Sequence, residues 1–504
     1  MAPAERQATK AAGTETTRVR TWASRSAPLL IPAATAAALG LWGIKRQGSM
    51  WRDESVTYQV AHRSLSDIGS LLGNIDAVHG LYYLIMHGVF ALWDGGLMAL
   101  RAPSVIATVV AAAGVGALGR RLKGTRAGVL AGSAYPTIPM VQHFAQEGRS
   151  YALVSATVVW ACYVFVRCID NGSIRRWAAY TSLVVVAGWL HEFAILVLVA
   201  HAATLLVVGA TRPAKQVWLI YAAASTVAVV PLAVVSVGQS DEQLGWLGGP
   251  ALAMWLQFFA VSAAGLAMSC YGARATAARS TSPTARWALP SVALPLLVLP
   301  GGLLLTVSLL KPWYVDRYVL YSMAGLALLM GSAMDRLLSS VLSRSTRVRI
   351  TACCLAAASL AALLPWALLI RSPESRKDDT VAVAKAVEAY AHRGDAVLFM
   401  PARRREWLLS APAVYREIDD LALDITPAES GTLQGVERTA ATIRSRMLHE
   451  DRIISLSDSV GQPLDPFPEE VVKRQTLKEH FERCARKKVH GAQISVYARP
   501  GQCD

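Results

Sequence analysis

Residues 27–54 read APLLIPAATAAALGLWGIKRQGSMWRDE. From Ala27 to Ile44 there is no ionisable side chain, and that length is about enough to cross a hydrocarbon core of ~30 Å. The preceding stretch, Met1 to Arg25, is basic and holds no apolar run. It is long for the basic region of a cleaved signal peptide, and apolar segments keep recurring downstream, so the run is read as a retained first membrane helix. Trp51-Arg52-Asp53-Glu54 then falls at the far surface of the bilayer, where carboxylates stay ionised and meet a substrate.

Working outward, the whole chain carries the same signature. It has 504 residues, 53% hydrophobic and 17% charged, with a mean hydropathy of +0.35. Soluble domains carry roughly 25% charged residues. The net charge of +15 comes from Lys and Arg clustered between apolar runs, with no aromatic-interleaved basic face. Membrane topology explains that pattern and nucleic-acid binding does not.

Further apolar stretches at 101–119, 127–145, 150–167, 177–190, 193–210, 216–237, 250–271, 287–310, 318–334 and 349–370 bring the expectation to about eleven transmembrane helices. Every second connection is basic: Arg120, Arg121, Lys123 and Arg126; Arg167, Arg175 and Arg176; Arg212 and Lys215; Arg274, Arg279 and Arg286; Arg336, Arg344, Arg347 and Arg349. By the positive-inside rule these face the cytoplasm together with the N-terminus, and Lys45 and Arg46 are the mild exceptions. The remaining connections are extracytoplasmic and hold Asp53, Glu54, Asp76, Glu147, Arg149, His191, Glu192, Asp241, Glu242, Lys311, Asp316 and Arg317. The expected divisions are a cytoplasmic tail at 1–26, a membrane domain at 27–370 and an extracytoplasmic domain at 371–504. The spans are almost free of ionisable groups, His143 and His201 excepted. An ion-coupled transporter carries such groups at mid-membrane depth. That weighs against a transporter or flippase, the first competing reading; a non-catalytic scaffold is the second.

The first outer connection contains two stretches suited to interfacial helices, Arg52–Leu72 and Leu81–Trp93. A carboxylate at the membrane surface can take a proton from a hydroxyl, and nearby cations can hold an anionic leaving group. Asp53 is the best base, with Glu54 as its partner or as a positioning group. Arg317 and Lys311, with Arg149 beside them, are the natural phosphate partners, arginine through bidentate geometry. For Gln146, Glu147 and Arg149 an interhelical hydrogen-bond network is the competing reading. For His191 and Glu192 it is a cap between two spans, for His201 a structural histidine, and for Tyr82 and Tyr83 interface anchoring. The residues do not demand a divalent cation, though one is compatible with them, and no set of metal ligands stands out.

At these residues the chain resembles the GT-C glycosyltransferases that use polyprenyl-phosphate sugars: protein O-mannosyltransferases, lipid A aminoarabinose transferases and the RgtA/B/C/D-like enzymes. Trp51-Arg52-Asp53-Glu54 is similar to their acidic motif after the first span. Asp76-Ala77-Val78-His79-Gly80-Leu81-Tyr82-Tyr83 sits where many members have His-Pro-Pro-Leu-Tyr-Tyr, with His79 displaced by one position and both prolines missing. Arg101-Ala102-Pro103-Ser104 resembles Arg-Leu-Pro-Ser, Gly119-Arg120-Arg121-Leu122 a cytoplasmic Gly-Arg-Arg-Leu turn, and Gln146-Glu147-Gly148-Arg149-Ser150-Tyr151 a Gln-Glu-Ala-Arg-x-Tyr element. Asp316-Arg317-Tyr318 is similar to a late Arg-Tyr motif. The resemblance spans roughly residues 25 to 370. It implies an inverting transferase in the cell membrane, mannose as the sugar, and a cell-envelope glycan, lipid or protein as acceptor. The residues that would meet substrate are Asp76, His79, Tyr82, Tyr83, Arg101, Gln146, Glu147, Arg149, Tyr151, His191, Glu192, Lys311, Arg317 and Tyr318.

From Arg371 the composition turns mixed and charged. Asp379–His392 reads as an amphipathic helix, and Ala396–Met400, Arg452–Leu456 and Gln493–Tyr497 as strands of a small α/β domain. Cys484 and Cys503 flank the last strand outside the cytoplasm, where disulfides persist, so they are expected to pair. A loop of that size adds ~3 kcal/mol by the chain-entropy estimate.

Overall fold

The computed structural model describes residues 26–244, 248–273, 288–459 and 461–503. The N-terminal tail and the basic connection with Arg274, Arg279 and Arg286 lie outside those residues, as do the side chains of Asp241 and Glu242.

The protein is a helical bundle followed by a strand-containing C-terminal domain. Among the described residues, eight helices are long and apolar enough to cross a membrane: Ser26–Gly48, Leu97–Lys123, Tyr151–Asn171, Arg212–Ser240, Leu252–Gly272, Leu289–Val307, Asp316–Leu342 and Thr346–Leu369. The other three expected runs form shorter or broken helices. Residues 127–145 are interrupted between the Thr125–Ala134 and Pro139–Ala145 helices, because Pro136 and Pro139 lack the amides a continuous helix needs. Ile174–Leu190 has 17 residues, about 26 Å at 1.5 Å per residue. The third divides into Glu192–Leu196 and Val197–Val207.

Small residues allow the closest helix contacts. A Cβ on Gly116 would run into the Pro28 carbonyl, and one on Gly132 into the Pro32 ring and the Ala112 carbonyl. Where lipid replaces water, such close backbone packing is a main source of helix association. His201 lies inside the bundle, 2.9 Å from the Tyr180 hydroxyl and stacked on Phe165, as a structural histidine does.

The connection after the first helix folds into three short helices, Arg52–Ala61, Leu65–Asn74 and Gly80–Leu92. The expected single helix over 52–72 is broken at Ser64, whose side chain accepts from the Asp67 amide and starts a new helix.

The C-terminal sheet has the strand order Asp419–Asp420, Ala396–Met400, Arg452–Asp458, Ala492–Ala498, Glu482–Val489. The first three are parallel and the last two antiparallel to their neighbours. Alternation along Ala396–Met400 sends Val397 and Phe399 to one face, against Val383, Val387 and Trp407. Leu398 goes to the other, against Ile443, Met447 and Leu477. The three strands expected from sequence are present; Glu482–Val489 was missed because it is a charged edge strand. Cys484 and Cys503 are disulfide-bonded. Non-reducing mass mapping of thiol-blocked protein is expected to yield the bridged peptide, and free thiols at both positions would contradict it.

Candidate active site

Two neighbouring carboxylates on the Arg52–Ala61 helix have opposite surroundings. Glu54 is fully buried. Its Oε1 accepts from Arg101 Nε at 2.7 Å and from the Gly148 amide at 3.1 Å. Its Oε2 accepts from Arg101 Nη2 at 2.7 Å and Arg46 Nη1 at 3.2 Å. Burial alone would raise the Glu54 carboxyl, but Arg101 and Arg46 outweigh it and hold the group well below the usual carboxylate range. The arginines are themselves anchored on backbone: Arg101 donates to the Ile44 and Ser49 carbonyls, and Arg46 to that of Gln146 at 2.6 Å. Glu54 thus locks the end of the first helix, the start of the second long helix and the 146–149 turn together.

The same turn is tied down elsewhere. Gln146 Nε2 donates to the Gly40 and Trp42 carbonyls at 2.8 and 2.6 Å. Glu147 is fully buried and pairs with Arg376 at 3.2 Å, while Arg376 also donates to the His143 carbonyl. Gln146 and Glu147 thus make the interhelical contacts of the competing reading, while Gln146 Oε1 and both Glu147 carboxylate oxygens are buried without a hydrogen-bond partner.

Asp53 takes the open side. Its side chain is 23% exposed, and its Oδ2 lies 3.7 Å from Arg317 Nη2. Arg317 Nε donates to the Tyr151 hydroxyl at 3.0 Å, and its guanidinium lies 5.7 Å from the rings of both Tyr151 and Tyr318. Beyond it, Arg149 Nη2 donates to His79 Nε2 at 3.2 Å and Nη1 reaches the Tyr83 hydroxyl at 3.4 Å. Tyr83 in turn donates to Asp76 at 2.7 Å. An arginine can only donate, so His79 Nε2 accepts and a neutral His79 carries its proton on Nδ1. Burial, then Arg149, hold His79 well below its ordinary value and keep it neutral. His191, pushed down to about 3 by burial and then by Arg317 and Arg149, packs 4.3 Å from the Tyr318 ring. His79 Nδ1, His191 Nδ1 and Arg149 Nε are buried without a hydrogen-bond partner. Orphaned polar atoms gathered in one place call for a ligand.

Residues from four separate connections thus meet: Asp53, Asp76, His79 and Tyr83; Arg149 and Tyr151; His191; Arg317 and Tyr318. Tyr82 is fully buried in the bundle core, Glu192 is half-buried, and Lys311 is exposed in the turn after Val307. Arg101 contacts Glu54 inside the bundle. A cavity of about 390 Å³ lies elsewhere, at the basic end, between Pro28, Arg120, Arg121 and Trp160. No group of three or more His, Cys, Asp or Glu placed to hold a metal occurs among the described residues. Arg46 and Arg376 escaped the reading of the sequence. The only signal for Arg46 was a basic residue at the wrong end of the first span, and Arg376 had none.

Residues 81–237 match the family model of dolichyl-phosphate-mannose-protein mannosyltransferase. The matched stretch includes Arg101, Arg149 and His191 but neither Asp53 nor Arg317. Among solved structures, the chain is similar to ArnT from Cupriavidus metallidurans bound to undecaprenyl phosphate, at 12% identity and a TM-score of 0.60, covering 94% of this chain and 98% of that one. The apo state of that ArnT aligns with the same score, over 93% and 97% of the two chains at 12% identity. The Archaeoglobus fulgidus oligosaccharyltransferase in its apo form is similar at 12% identity and a TM-score of 0.53, over 86% of this chain and 70% of that one. No curated protein matches by sequence. The fold is that of the GT-C membrane glycosyltransferases, a multi-pass helical bundle with a small strand-containing C-terminal domain.

Proposed function

We propose that this protein transfers a sugar from a polyprenyl phosphate to an acceptor hydroxyl at the outer membrane surface, with Asp53 as general base. One observation carries the reading. Of two adjacent carboxylates, Glu54 is neutralised by two arginines and sealed in, while Asp53 is 23% exposed and stands beside Arg317, in a cluster with Arg149 and unpartnered ring nitrogens.

The acceptor oxygen attacks the anomeric carbon as the bond to the phosphate oxygen breaks. Asp53 takes the hydroxyl proton, and the phosphate leaves with the bonding pair. Arg317 and Arg149 stabilise its charge. The Nδ1–H of His79 donates to an oxygen of the sugar donor with the His191 ring beside it, and Tyr151 and Tyr318 hold the Arg317 guanidinium in place. One base and a displaced phosphate give inversion. Glu54 is the positioning group, and Arg101, Gln146 and Glu147 support it. Likeness to an ArnT bound to undecaprenyl phosphate supports the polyprenyl-phosphate donor. The matching family description supports mannose, and a cell-envelope glycan, lipid or protein is the acceptor class. The alternating basic connections support a cytoplasmic N-terminus and an extracytoplasmic position for residues 371–504.

Arg317→Ala tests the phosphate role. A charged hydrogen bond is worth ~1.5–3 kcal/mol, so donor KM is expected to rise roughly 10- to 100-fold in a label-transfer assay. Arg347→Ala, at an exposed position near the start of the Thr346–Leu369 helix, is expected to stay within about twofold. Equal effects from the two would contradict the assignment.

A further inference from the structure

The helix that carries Asp53 does not cap itself. Its N-cap residue, Trp51, has no side-chain acceptor, yet the first amides of any helix need partners. The acceptor comes from the C-terminal domain: Asp378 Oδ1 lies 2.8 Å from the Arg52 amide. The neighbouring strand of chain is stitched in the same way. The Met50 amide donates to Asp379 Oδ1 at 3.2 Å, and the Thr380 amide donates to the Met50 carbonyl at 2.7 Å.

Arg52 adds a second requirement. At the first position of a helix a cation faces the positive end of the dipole and needs a counter-charge. Glu406, 1% exposed, supplies it: Arg52 Nε donates to Glu406 Oε2 at 2.6 Å. The Glu406 carbonyl accepts from Ser55 Oγ, also at 2.6 Å, one turn further along the helix. Trp407, next to Glu406, is fully buried in the core of the C-terminal domain, and its Nε1 reaches Asp378 Oδ2 at 3.4 Å. Cap and counter-ion are thus fixed to one packed core. At the helix's other end Arg63 donates to the Thr432 carbonyl at 2.9 Å, and Leu433 joins the cluster of Val56 and Val60.

We propose that the C-terminal domain is a positioning element for the transfer reaction: through the Asp378 cap and the Glu406–Arg52 pair it sets where the Asp53 carboxylate stands against Arg317. The inference rests on Asp53 being the base. Glu406 touches no reacting atom and acts only through Arg52 and the helix. A misplacement near 1 Å costs about 10²-fold in rate, so loss of the pair shows in kcat before it shows in donor binding.

The test uses the full-length protein and compares Glu406→Gln, Arg52→Gln, the double variant and Asp53→Asn. Transfer from a labelled polyprenyl-phosphate sugar is measured beside amide hydrogen exchange. Each single variant of the pair is expected to lose roughly 10- to 100-fold in kcat with donor KM within about twofold, and the double variant to lose no more than the worse single one. Exchange is expected to quicken across Arg52–Ala61 and stay unchanged in the Arg452–Asp458 strand. If Glu406→Gln and Arg52→Gln keep native kcat while Asp53→Asn is inactive, the positioning role is overturned and the base stands. Quickened exchange in both segments for both single variants would reduce the pair to a fold contact and overturn it too. An active Asp53→Asn would overturn the base assignment and this role with it.

Discussion

Asp53→Asn is expected to abolish sugar transfer while leaving protein level and unfolding midpoint unchanged. The substitution keeps size and hydrogen bonding and removes the proton acceptor, and general-base contributions run ~10²–10⁴-fold. The fold has little stake in this carboxylate: it is partly exposed, and its ion contact to Arg317 is long at 3.7 Å. Single-turnover rates in membranes check it, because there chemistry limits the signal. A rate within about threefold of the native protein would remove Asp53 from the mechanism.

Glu54→Gln, one residue on, is expected to fail differently. It leaves Arg46 and Arg101, both fully buried, around a neutral group. Removing one member of a buried ion cluster costs about 3–5 kcal/mol, a large part of a typical stability. Low yield and a lower unfolding midpoint in detergent are the expected readouts, ahead of any kinetic effect. The pH dependence follows the same charge. The folded Glu54 carboxyl is held below its unfolded value of ~4.3, so its contribution is fully present above that pH and lost as pH falls toward the depressed folded value. Native protein is therefore expected to lose stability steeply in acid, with a smaller loss for Glu54→Gln. A Glu54→Gln protein of native yield and midpoint would contradict the lock.

The contrast between these neighbours also shows what a sequence can carry. Two adjacent residues on a helix point about 100° apart, so one faces packing and the other the open side, but nothing in Trp51-Arg52-Asp53-Glu54 says which. The choice is made by Arg101 and Gly148, 47 and 94 positions away. The acidic pair, Arg149, His191 and Arg317 were legible because hydropathy and alternating basic connections alone assign their loops to one side of the membrane. Partners contributed from the C-terminal domain were not. Arg376, Asp378 and Glu406 meet residues 229 to 354 positions distant and carry no motif. Arg46 was visible only as a charge on the wrong side, which its pairing with Glu54 accounts for. In the C-terminal domain the apolar inner strands could be read directly, whereas Glu482–Val489 hides its strand character behind the charges of a sheet edge. The helix break at Tyr135–Thr137 was written in Pro136 and Pro139, but hydropathy alone passes over it.

Membranes containing the native protein, incubated with a panel of polyprenyl phosphates bearing sugar-labelled headgroups, test the central claim most directly. The account predicts that at least one label leaves the lipid for a cell-envelope acceptor, with one polyprenyl phosphate released per sugar moved, and that Asp53→Asn membranes retain the label on lipid. Label held on lipid in both, or released equally by both, would contradict it.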